Sequence, residues 1–469
     1  FAIRTIPMTD TLKIVSPVDG RVYAERPVAS DTAINKSVDA ARAAQAEWAQ
    51  TRIADRGRLC LAFLDAMLAM KDEITPELAW QMGRPVRYGG EFAPFEERVR
   101  YMVDIAEEAL RPVVPEPKEG FTRHVARAPL GLVLVIAPWN YPFITAVNTV
   151  VPALMAGNAV LLKHSTQTLL VGERFQQAFD KAGLPKGLFQ NLVLSHRQTE
   201  ALVGGGRVDH INFTGSVEGG RAMERAAAGT FATLGLELGG KDPAYVLPDA
   251  DMDAAIANLV DGAFYNSGQC CCGIERIYVH EKVYQPFVEG FVSQTRGYVL
   301  GDPLDPETTL GPMARPQTAA LVREQIAGAL RGGATAHIDT AAFPRDAAGT
   351  PYLAPQVLTE VNHQMAVMTE ESFGPVVGIM KVRDDDEAIG LMNDSSFGLT
   401  ASIWTGDAAR AEAIGQRVET GTVFMNRCDY VDPGLVWTGV KDTGRGASLS
   451  RIGYEHLTRP KSFHLRTAL

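Results

Sequence analysis

The stretch 131–239 alternates strand-like and helix-like segments, and this alternation restricts the folds that the chain can adopt. Its apolar runs predict five strands, at residues 132–137, 159–163, 189–193, 210–213 and 233–236. Helical spacing predicts helices between them, near residues 148–156, 168–182, 199–203 and 217–228. Strands that alternate with helices favour an open parallel sheet with a Rossmann-like, dinucleotide-binding fold. We therefore predict an α/β fold whose first sheet binds a cofactor.

A second α/β unit follows the break at Gly239 and Gly240. Residues 245–247 and 277–280 are predicted strands, residues 252–264 form a predicted helix, and similar units continue to Lys441. A chain of 469 residues is too large for one small core and favours two or three domains. The second unit is therefore expected to form a separate α/β domain.

The segments outside these units are predicted to be helical or extended. Two short strand-like pieces flank a turn at residues 17–20, and Asp31 is the predicted N-cap of the first helix. Residues 111–127 are rich in Pro, Glu and Lys without a helical period, which predicts a solvated extended segment. The alternation of Phe463 and Leu465 is typical of an edge strand. Further helices are predicted at about residues 52–71 and 94–110.

Composition and charge argue against several kinds of partner. Hydrophobic residues make up 46% of the chain and charged residues 21%, the balance of a soluble globular enzyme. The net charge of −10, without a compensating block of Lys and Arg, argues against nucleic acid. The longest apolar run, residues 131–162, is interrupted by three prolines and three asparagines, so we predict no membrane span. Residues 1–10 lack the pattern of a secretory signal, and we expect a cytoplasmic protein.

Three consecutive cysteines, Cys270, Cys271 and Cys272, follow a Gly-Gln step in the stretch YNSGQCCCGIER. Adjacent cysteines cannot form a disulfide framework, and they lack the CxxC spacing of a zinc site, so we expect no metal. A nucleophilic cysteine needs an accessible, electropositive setting, whereas most buried cysteines only fill the core. On the triplet alone, catalysis and packing are equally good interpretations.

Two polar residues end predicted strands, where open α/β sheets place their ligand-binding groups. Asn140 stands between Trp139 and Tyr141 directly after the first strand; a turn asparagine before Pro142 is the alternative interpretation. Glu237 ends an apolar strand just before two glycines. Burial would raise the pKa of such a carboxylate toward the range of a general base, although many surface glutamates end strands without a function.

Five motifs in register give the chain a close resemblance to the aldehyde dehydrogenase superfamily. They are PWNYP (residues 138–142), FTGSVEGG (213–220), LELGGK (236–241), the cysteine stretch (265–276) and EESFGP (370–375). The resemblance implies oxidation of a small aldehyde to a carboxylic acid with NAD or NADP. It also implies that Cys271, the second residue after Gly-Gln, attacks the aldehyde to form a thiohemiacetal. Cys270 and Cys272 are then packing neighbours.

The resemblance implies a role for each polar strand end. The side-chain amide of Asn140, with the backbone N–H of Cys271, would form an oxyanion hole, in which one donor is worth about 3 kcal/mol. Glu237 would activate the water that hydrolyses the thioester. Glu371 and Phe373 match the positions that hold the nicotinamide ribose and ring. Further cofactor-binding residues by the same resemblance are Trp139, Lys163, Thr166, Gly215, Ser216 and Gly220.

Some positions depart from the resembling family. Thr166 stands where NAD-selective members usually carry a glutamate, which removes a repulsion toward the 2′-phosphate of NADP. Gly215 and Gly220 do not follow the G-x-G-x-x-G fingerprint, and a generic glycine turn is the alternative interpretation. Thr149 and Ser448 replace a lysine and a glutamate that the family links to proton relay, so the deprotonation route is an open question.

The resemblance also predicts a substrate tunnel. In succinate-semialdehyde enzymes of this family an arginine at the position of Asn148 binds the substrate carboxylate, and an amide cannot form that charged pair. We therefore expect uncharged aldehydes to exceed succinic semialdehyde in kcat/KM by about tenfold or more. The competing hypothesis is that Arg427 or Arg445 supplies the charge. The predicted tunnel residues are Tyr141, Thr145, Asn148, Tyr265 and Trp437.

By the same resemblance, a small β oligomerisation arm accompanies the cofactor and catalytic domains. We expect residues 1–110 and 129–238 to form the NAD(P)-binding domain and residues 239–442 the catalytic domain. Residues 111–128 and 443–469 would form the arm of a homodimer or homotetramer. Three alternatives are weaker. A CoA-acylating semialdehyde dehydrogenase has no need of Glu237, a catalytically silent relative should have lost Cys271 or Glu237, and a cysteine hydrolase lacks a histidine context here.

Overall fold

The computed structural model describes residues 11–428 and 430–468, so the expectation for residues 1–10 lies outside the described part. Strands and helices alternate along most of it. The strands are β1 Thr11–Val15, β2 Val22–Pro27, β3 Phe121–Pro129, β4 Leu132–Ala137, β5 Ala159–His164, β6 Phe189–Asn191, β7 His210–Thr214, β8 Thr233–Glu237, β9 Asp242–Val246, β10 Ile274–His280, β11 Thr335–Ala336, β12 Gln356–Thr359, β13 Val376–Val382, β14 Phe397–Gly398, β15 Thr400–Trp404, β16 Thr422–Met425, β17 Val440–Lys441, β18 Gly444–Arg445 and β19 Thr458–Arg466.

The helices cover the faces of the sheets. They are α1 Asp31–Trp48, α2 Ile53–Leu68, α3 Lys71–Met82, α4 Phe92–Asp104, α5 Ala106–Ala109, α6 Pro142–Met155, α7 Leu169–Ala182, α8 His196–Gly204, α9 Val217–Ala227, α10 Met252–Phe264, α11 Tyr284–Thr295, α12 Pro316–Arg331, α13 Ala366–Thr369, α14 Asp385–Asn393, α15 Ala408–Gly415 and α16 Ser450–His456. Short 3-10 turns lie at Val86–Tyr88, Thr166–Thr168, Tyr265–Gly268 and Thr340–Ala342.

The first large sheet has six strands in the order β18-β8-β7-β4-β5-β6. All neighbours are parallel except β18, which pairs antiparallel with β8 through Gly444 and Glu237. The strands β4 and β5 are buried along their whole length, which explains their continuous apolar sequences. The predicted Rossmann-like sheet is therefore confirmed, with the five predicted strands in it.

The second large sheet has seven strands in the order β11-β12-β13-β10-β9-β15-β16. Its core strands are parallel, and only β11 runs antiparallel at one edge. The expected second α/β unit is therefore present. The connection from β8 to β9 is short, from Glu237 to Asp242, so the end of β8 and the start of β9 bring both sheets close together.

A two-stranded antiparallel ribbon joins β3 to β19 over nine residue pairs, from Thr458 opposite Pro129 to Arg466 opposite Phe121. The predicted C-terminal strand is therefore confirmed. The segment predicted as solvated extended chain also contains most of β3, whose residues are mainly half-buried by this pairing. Residues 444–445, grouped with the arm from the sequence, instead pair with the first large sheet as β18.

Several predicted helix boundaries were wrong for identifiable reasons. Ser30, not Asp31, caps α1, because its side chain accepts the backbone N–H of Ala33. The predicted helix at 148–156 begins six residues earlier, at Pro142, where the fixed φ of proline suits a first helical position. The predicted helix 52–71 is α2 alone, and α3 was missed because Pro76 and a mainly polar composition hide its period. Among the described helices, none combines the length and apolarity that a bilayer crossing needs.

Candidate active site

The cysteine triplet follows a strained turn between α10 and β10. Asn266 and Ser267 have φ values of 54° and 57°, in the left-handed region that non-glycine residues avoid. Gly268 continues the turn, and a Cβ added there would lie 2.3 Å from the carbonyl oxygen of Gly374. Strain of this kind persists only where the surroundings hold it and is concentrated at functional sites. The turn therefore fixes the direction in which the three thiols leave the backbone.

Asn140 lies against this turn, as the sequence predicts. Its Nδ2 donates to the carbonyl oxygen of Gln269 over 3.3 Å, directly before the first cysteine of the triplet. The Asn140 carbonyl in turn accepts hydrogen bonds from Asn266 Nδ2 at 3.2 Å and from the Arg84 guanidinium at 2.5 Å. These bonds join the end of β4 to the cysteine turn, although 129 residues separate Asn140 from Gln269. The amide is thus held beside the thiols by buried partners.

The three sulfur atoms lie within 4.8 Å of one another, and those of Cys270 and Cys272 are 3.4 Å apart. Hydrogen bonds from Cys271 and Cys272 lower the pKa of Cys270, and the same bond with Cys270 raises the pKa of Cys271. Thiols this close share their protons, so a thiolate belongs to the cluster rather than to one sulfur. The spacing could also hold a soft metal ion, and the expectation of no metal stays a prediction.

Glu237, the last residue of β8, accepts a hydrogen bond on each carboxylate oxygen. Ser448 Oγ donates to Oε1 over 2.7 Å, and Thr214 Oγ1 donates to Oε2 over 3.2 Å. Burial raises the pKa of Glu237, while these two bonds and the Arg98 guanidinium oppose the shift. A carboxyl group with a raised pKa is suited to general base catalysis near neutral pH.

The end of β5 and the start of α9 supply the groups predicted to bind the cofactor. Lys163 is buried, and loss of solvent lowers its pKa to about 8. Thr166 follows in a 3-10 turn, half-buried, with no carboxylate in its place. Ser216 caps α9 by accepting the Gly219 N–H, so its hydroxyl stands at the positive end of the helix dipole, where anions bind.

Close packing requires glycine at the positions around Ser216, which the sequence did not reveal. A Cβ on Gly215 would lie 2.8 Å from the ring of Phe213, and one on Gly219 would lie 2.5 Å from it. A Cβ on Gly220 would lie 2.7 Å from the side chain of Leu238. These glycines therefore let α9 approach the sheet closely, which places its N-terminus next to the strand ends.

Glu371 and Phe373 approach the same strand ends from the second sheet. Glu371 accepts the backbone N–H of Gly240 at 3.0 Å, and burial raises its pKa to about 7. A Cβ on Gly239 would lie 2.4 Å from the Glu371 carboxylate, so only glycine leaves room for that side chain. Phe373, at a φ of 49°, meets Trp139 edge-on with ring centroids 5.6 Å apart. The two predicted positions are thus together at the junction of the sheets, and their role in binding the nicotinamide nucleotide stays a prediction.

A buried ion pair beneath this segment was missed from the sequence. Lys241 and Glu275 lie 2.5 Å apart, and Lys241 also donates to Ser372 Oγ at 3.0 Å. The Glu275 carboxylate accepts the backbone N–H groups of Ser372 and Phe373 at 2.8 and 2.9 Å. Both charged residues belong to motifs, LGGK and CGIER, but 34 residues separate them and no local pattern predicts the pairing.

Two of the residues predicted to line the substrate tunnel are tyrosines next to the thiols. The Tyr141 hydroxyl is hydrogen-bonded to Cys270 and helps to lower its pKa. The Arg84 guanidinium lies 4.9 Å from the centre of the Tyr141 ring, a cation–π contact. Tyr265 packs on Tyr88 with ring centroids 4.9 Å apart. The tyrosines predicted at this place are therefore near the cysteines, and Arg84 was not foreseen.

The remaining predicted tunnel residues are engaged elsewhere. Thr145 Oγ1 donates to the Tyr141 carbonyl, one turn back along α6. Trp437 is buried and pairs by its backbone with Ser448, with N–O distances of 2.9 and 3.0 Å. Asn148 is buried and accepts a hydrogen bond from Arg98 at 3.0 Å. The side chains of Thr145 and Asn148 thus have partners within the protein, whereas the pairing of Trp437 uses only its backbone, and the tunnel assignment of all three stays a prediction.

Arg98, a cation that was not foreseen from the sequence, lies next to Asn148. Its guanidinium is 4% exposed, donates to Asn148 Oδ1 and the Ile144 carbonyl, and has no partner for Nε among the described residues. The Arg98 guanidinium interacts electrostatically most strongly with Glu91 and then with Glu237 and Cys272. The rival arginines lie elsewhere: Arg445 pairs with Glu224 at 2.9 Å, and Arg427 stacks 4.2 Å from the centre of the Tyr430 ring.

The chain belongs to the aldehyde dehydrogenase family, whose model matches residues 6–463. It is 35% identical over 433 residues to an aldehyde dehydrogenase of Paenarthrobacter nicotinovorans, covering 92% of this chain and 94% of that protein. It is 33% identical to the NADP-dependent succinate-semialdehyde dehydrogenase of Deinococcus radiodurans, covering 95% and 93%. The succinic semialdehyde dehydrogenase of Streptococcus pyogenes, solved with NADP+, superposes with a TM-score of 0.92 at 26% identity, covering 97% and 100%.

The family and its site define an oxidoreductase. The chain is an NAD(P)-dependent aldehyde dehydrogenase, which oxidises an aldehyde to the carboxylic acid. When bound, the nicotinamide supplies the acceptor for the hydride that the aldehyde carbon loses. Lys163, Ser216, Glu371 and Phe373 are the residues predicted to bind the cofactor, and they would hold it at the strand ends.

Proposed function

We propose that Cys271 is the nucleophile of this dehydrogenase and that Asn140 completes its oxyanion hole. The hydrogen bond from Asn140 to the carbonyl before the triplet is the observation that carries this proposal. It holds a side-chain amide next to the backbone that supplies the Cys271 N–H. Attack by the Cys271 sulfur on the aldehyde carbon forms a thiohemiacetal, and its oxyanion then has two donors. Loss of hydride leaves a thioester on the same sulfur.

Glu237 then removes a proton from the water that hydrolyses the thioester. Its hydrogen bonds from Ser448 and Thr214 hold the carboxylate in one orientation, and its raised pKa makes it a stronger base. This role speaks against the CoA-acylating alternative, in which a thiol rather than water accepts the acyl group. The presence of both Cys271 and Glu237 in a built site speaks against a silent relative.

The cofactor preference that we propose is NADP, with NAD also used. Thr166 leaves space and no negative charge near Lys163, whose buried ammonium can bind a phosphate. Several relatives are named as NADP-dependent, among them those of Deinococcus radiodurans and Mycobacterium avium. A steady-state comparison of the two cofactors tests this point directly.

For the substrate, we propose a short aldehyde with a carboxylate at its far end. A buried guanidinium with an unpaired Nε is costly, and an anionic group near it would offset that cost. Arg98 lies beside Asn148, the position at which the family's succinate-semialdehyde enzymes carry their own arginine. Relatives that are named succinate-semialdehyde dehydrogenases and are 32–33% identical to this chain support the same class of substrate. The alternative is the preference for uncharged aldehydes that Asn148 predicts, and a comparison of the two kinds of substrate decides between them.

The experiment that tests the proposed chemistry is a rapid acid quench with one aldehyde of each kind. Succinic semialdehyde and pentanal are mixed with enzyme and NADP, and the protein is digested for mass spectrometry. We expect an acyl adduct on the peptide that contains the triplet, with fragmentation that places it on Cys271. An adduct on Cys270 instead would contradict the assignment of the nucleophile.

For the assembly and its location, we propose a cytoplasmic homodimer or homotetramer. The ribbon of β3 and β19 has only these two strands among the described residues, so its free edges can pair with another subunit. The domains that we propose are residues 1–110 with 129–238, residues 239–442, and residues 111–128 with 443–469. Sheet membership supports these limits except at β18, which pairs with the cofactor sheet.

A further inference from the structure

A small cavity lies beside β7 and β8, lined in part by Asn212 and Gly235. Polar side chains from three elements (α6, β7 and α16) and one loop line it: Ser448, Asn212, His210, His456, Thr149 and Asn148. The volume of this cavity is about 10 Å³. That is room for about one water molecule, and a buried water needs two to four polar partners, which this lining offers.

Hydrogen bonds connect this cavity to the catalytic carboxylate. The Ser448 hydroxyl is in the lining and donates to Glu237 Oε1 over 2.7 Å. Since a hydroxyl can donate and accept at once, Ser448 can pass a proton on while it receives another. No ionisable side chain of the lining touches Glu237 directly, so Ser448 is its link to the space behind.

Gly235 of β8 keeps the space open. A Cβ at this position would lie 2.7 Å from Asn212 Oδ1 and 3.7 Å from His210 Nε2. His210 Nδ1 is occupied by Thr233 Oγ1 at 2.8 Å, so the Nε2 side is the one near Gly235. Burial and the charge of His456 lower the pKa of His210 to about 4, so its ring stays neutral near pH 7.

His456 stands at the outer end of the lining. It is the last residue of α16 and is exposed, whereas Ser448, Asn212 and His210 are buried. The lining therefore leads from a buried hydroxyl on Glu237 to an exposed imidazole. His456 is the ionisable side chain of the lining that contacts solvent, so its imidazole can pass a proton to bulk water.

We propose that this cavity is the route by which the proton taken up by Glu237 reaches solvent. The proton from the hydrolytic water moves to Glu237 and then from Oε1 to Ser448 Oγ. The Ser448 proton moves to the water in the cavity, and a proton of that water moves to His456 and on to bulk solvent. Each intermediate group returns to its starting state, and the carboxylate is regenerated. This inference rests on the proposed base role of Glu237.

The route explains how the chain manages without the charged relay residues of its family. Thr149 and Ser448 are both neutral and both line the cavity. The Ser448 hydroxyl lowers the pKa of Glu237 through its hydrogen bond, whereas a second carboxylate at that position would raise it by like-charge repulsion. His456 is the lining residue that connects this cavity to the surface.

The test measures thioester hydrolysis in His456→Gln, with His196→Gln as the matched control of an exposed histidine away from the site. The assay uses succinic semialdehyde or pentanal, whichever turns over, with NADP at low buffer concentration. We expect the burst of NADPH to be unchanged and the steady-state rate to fall at least about tenfold, within the range of acid–base effects. Added imidazole should restore the rate in His456→Gln and leave the control unaffected. A purely structural role of His456 would give no such rescue.

Two further variants separate a failure of the proton route from a failure of the proposed base role. Gly235→Ala fills the cavity and should slow the same step without rescue by imidazole, with folding checked by thermal unfolding. Glu237→Gln should stop hydrolysis with or without imidazole; sustained turnover there would overturn the base role itself. If Glu237→Gln stalls but His456→Gln behaves as His196→Gln at every buffer concentration, the proton route is overturned while the base role stands.

Discussion

The Nζ of Lys241 lies 2.5 Å from Oε2 of Glu275, in a pair whose side chains are 0% and 4% exposed. Glu275 also accepts the backbone N–H groups of Ser372 and Phe373, so the pair anchors the segment that carries the predicted cofactor residues. A buried pair adds little net stability compared with apolar packing, but leaving one partner alone is expensive. We infer that its role is to hold this segment in place.

The first prediction concerns that pair. Lys241→Met should destabilise the fold by about 3–5 kcal/mol, because it leaves the Glu275 carboxylate buried without a cation. The double variant Lys241→Met/Glu275→Leu should recover much of the free energy of unfolding and still bind cofactor poorly. Denaturant unfolding and cofactor titration measure the two effects. Equal cofactor affinity in the double variant and wild type would exclude the anchoring role.

The second prediction separates the three thiols. Cys271→Ala should abolish dehydrogenase and any esterase activity in a folded protein, while Cys270→Ala and Cys272→Ala should retain substantial turnover. Iodoacetamide should label the triplet first, since burial raises the pKa of Cys60 to about 12 and keeps it protonated. Mass spectrometry after partial labelling identifies the site. Preferential labelling of Cys60 or Cys428 would count against a reactive triplet.

The third prediction concerns Glu237 and its pH dependence. Glu237→Gln should still form the acyl-enzyme and release at most one NAD(P)H per active site before it stalls. In the wild type the base must be ionised, and burial raises the pKa of Glu237. Steady-state hydrolysis should therefore fall as the pH drops through a value above that of an ordinary glutamate. Stopped-flow absorbance across pH checks both effects, and Ser448→Ala should move this acid limb further upward by removing a hydrogen bond to the carboxylate.

A fourth prediction addresses cofactor choice. Thr166→Glu should depress the use of NADP selectively, because a carboxylate there repels the 2′-phosphate by several kcal/mol where it is desolvated. Thr166→Gln, which has nearly the same shape without the charge, is the control. The comparison of kcat/KM for NADP and NAD in the three proteins isolates the charge. If wild type does not use NADP detectably, another residue sets the preference.

The fifth prediction tests Arg98 as the group that binds the substrate carboxylate. Arg98→Met should lower kcat/KM for succinic semialdehyde by about 30-fold or more, or at least 2 kcal/mol, and should affect pentanal much less. Arg427→Gln, which removes the rival cation, should leave both substrates near the wild-type rate. If Arg98→Met slows both aldehydes equally, its charge serves Glu237 rather than the substrate.

Local patterns predicted most of the sheet at the core of the first domain. The strands β4 and β5 are continuous apolar runs because helices cover both faces, and such runs are recognisable without long-range information. The motifs also identified the groups that meet at the strand ends, including Asn140 and Glu371. What could not be predicted depends on contacts between distant residues. Arg98 belongs to a polar-looking helix and is buried only because α6 lies against it, 50 residues later.

The same limit explains the packing glycines and the buried ion pair. The resemblance predicts Gly215 as a cofactor-binding residue, but a Cβ on Gly215 or on its unpredicted neighbour Gly219 would meet the ring of Phe213. Lys241 and Glu275 each look like ordinary surface charges until β9 and β10 are placed side by side. Sequence reasoning therefore found the residues with known motifs and missed those that position them.

The C-terminal stretch from β18 to β19 links the proposed assembly of subunits to the rate of thioester hydrolysis, two properties that are usually measured separately. It begins at Gly444, paired with Glu237, continues through Ser448 on the Glu237 carboxylate and ends in the nine-pair ribbon with β3. Shortening the chain before Thr458 would free α16 and the loop that carries Ser448. Size-exclusion chromatography would register such a change as altered assembly, and a stopped-flow trace would register it as slower release of the acid. A tag or truncation at this end is therefore expected to change the rate of hydrolysis together with the proposed assembly.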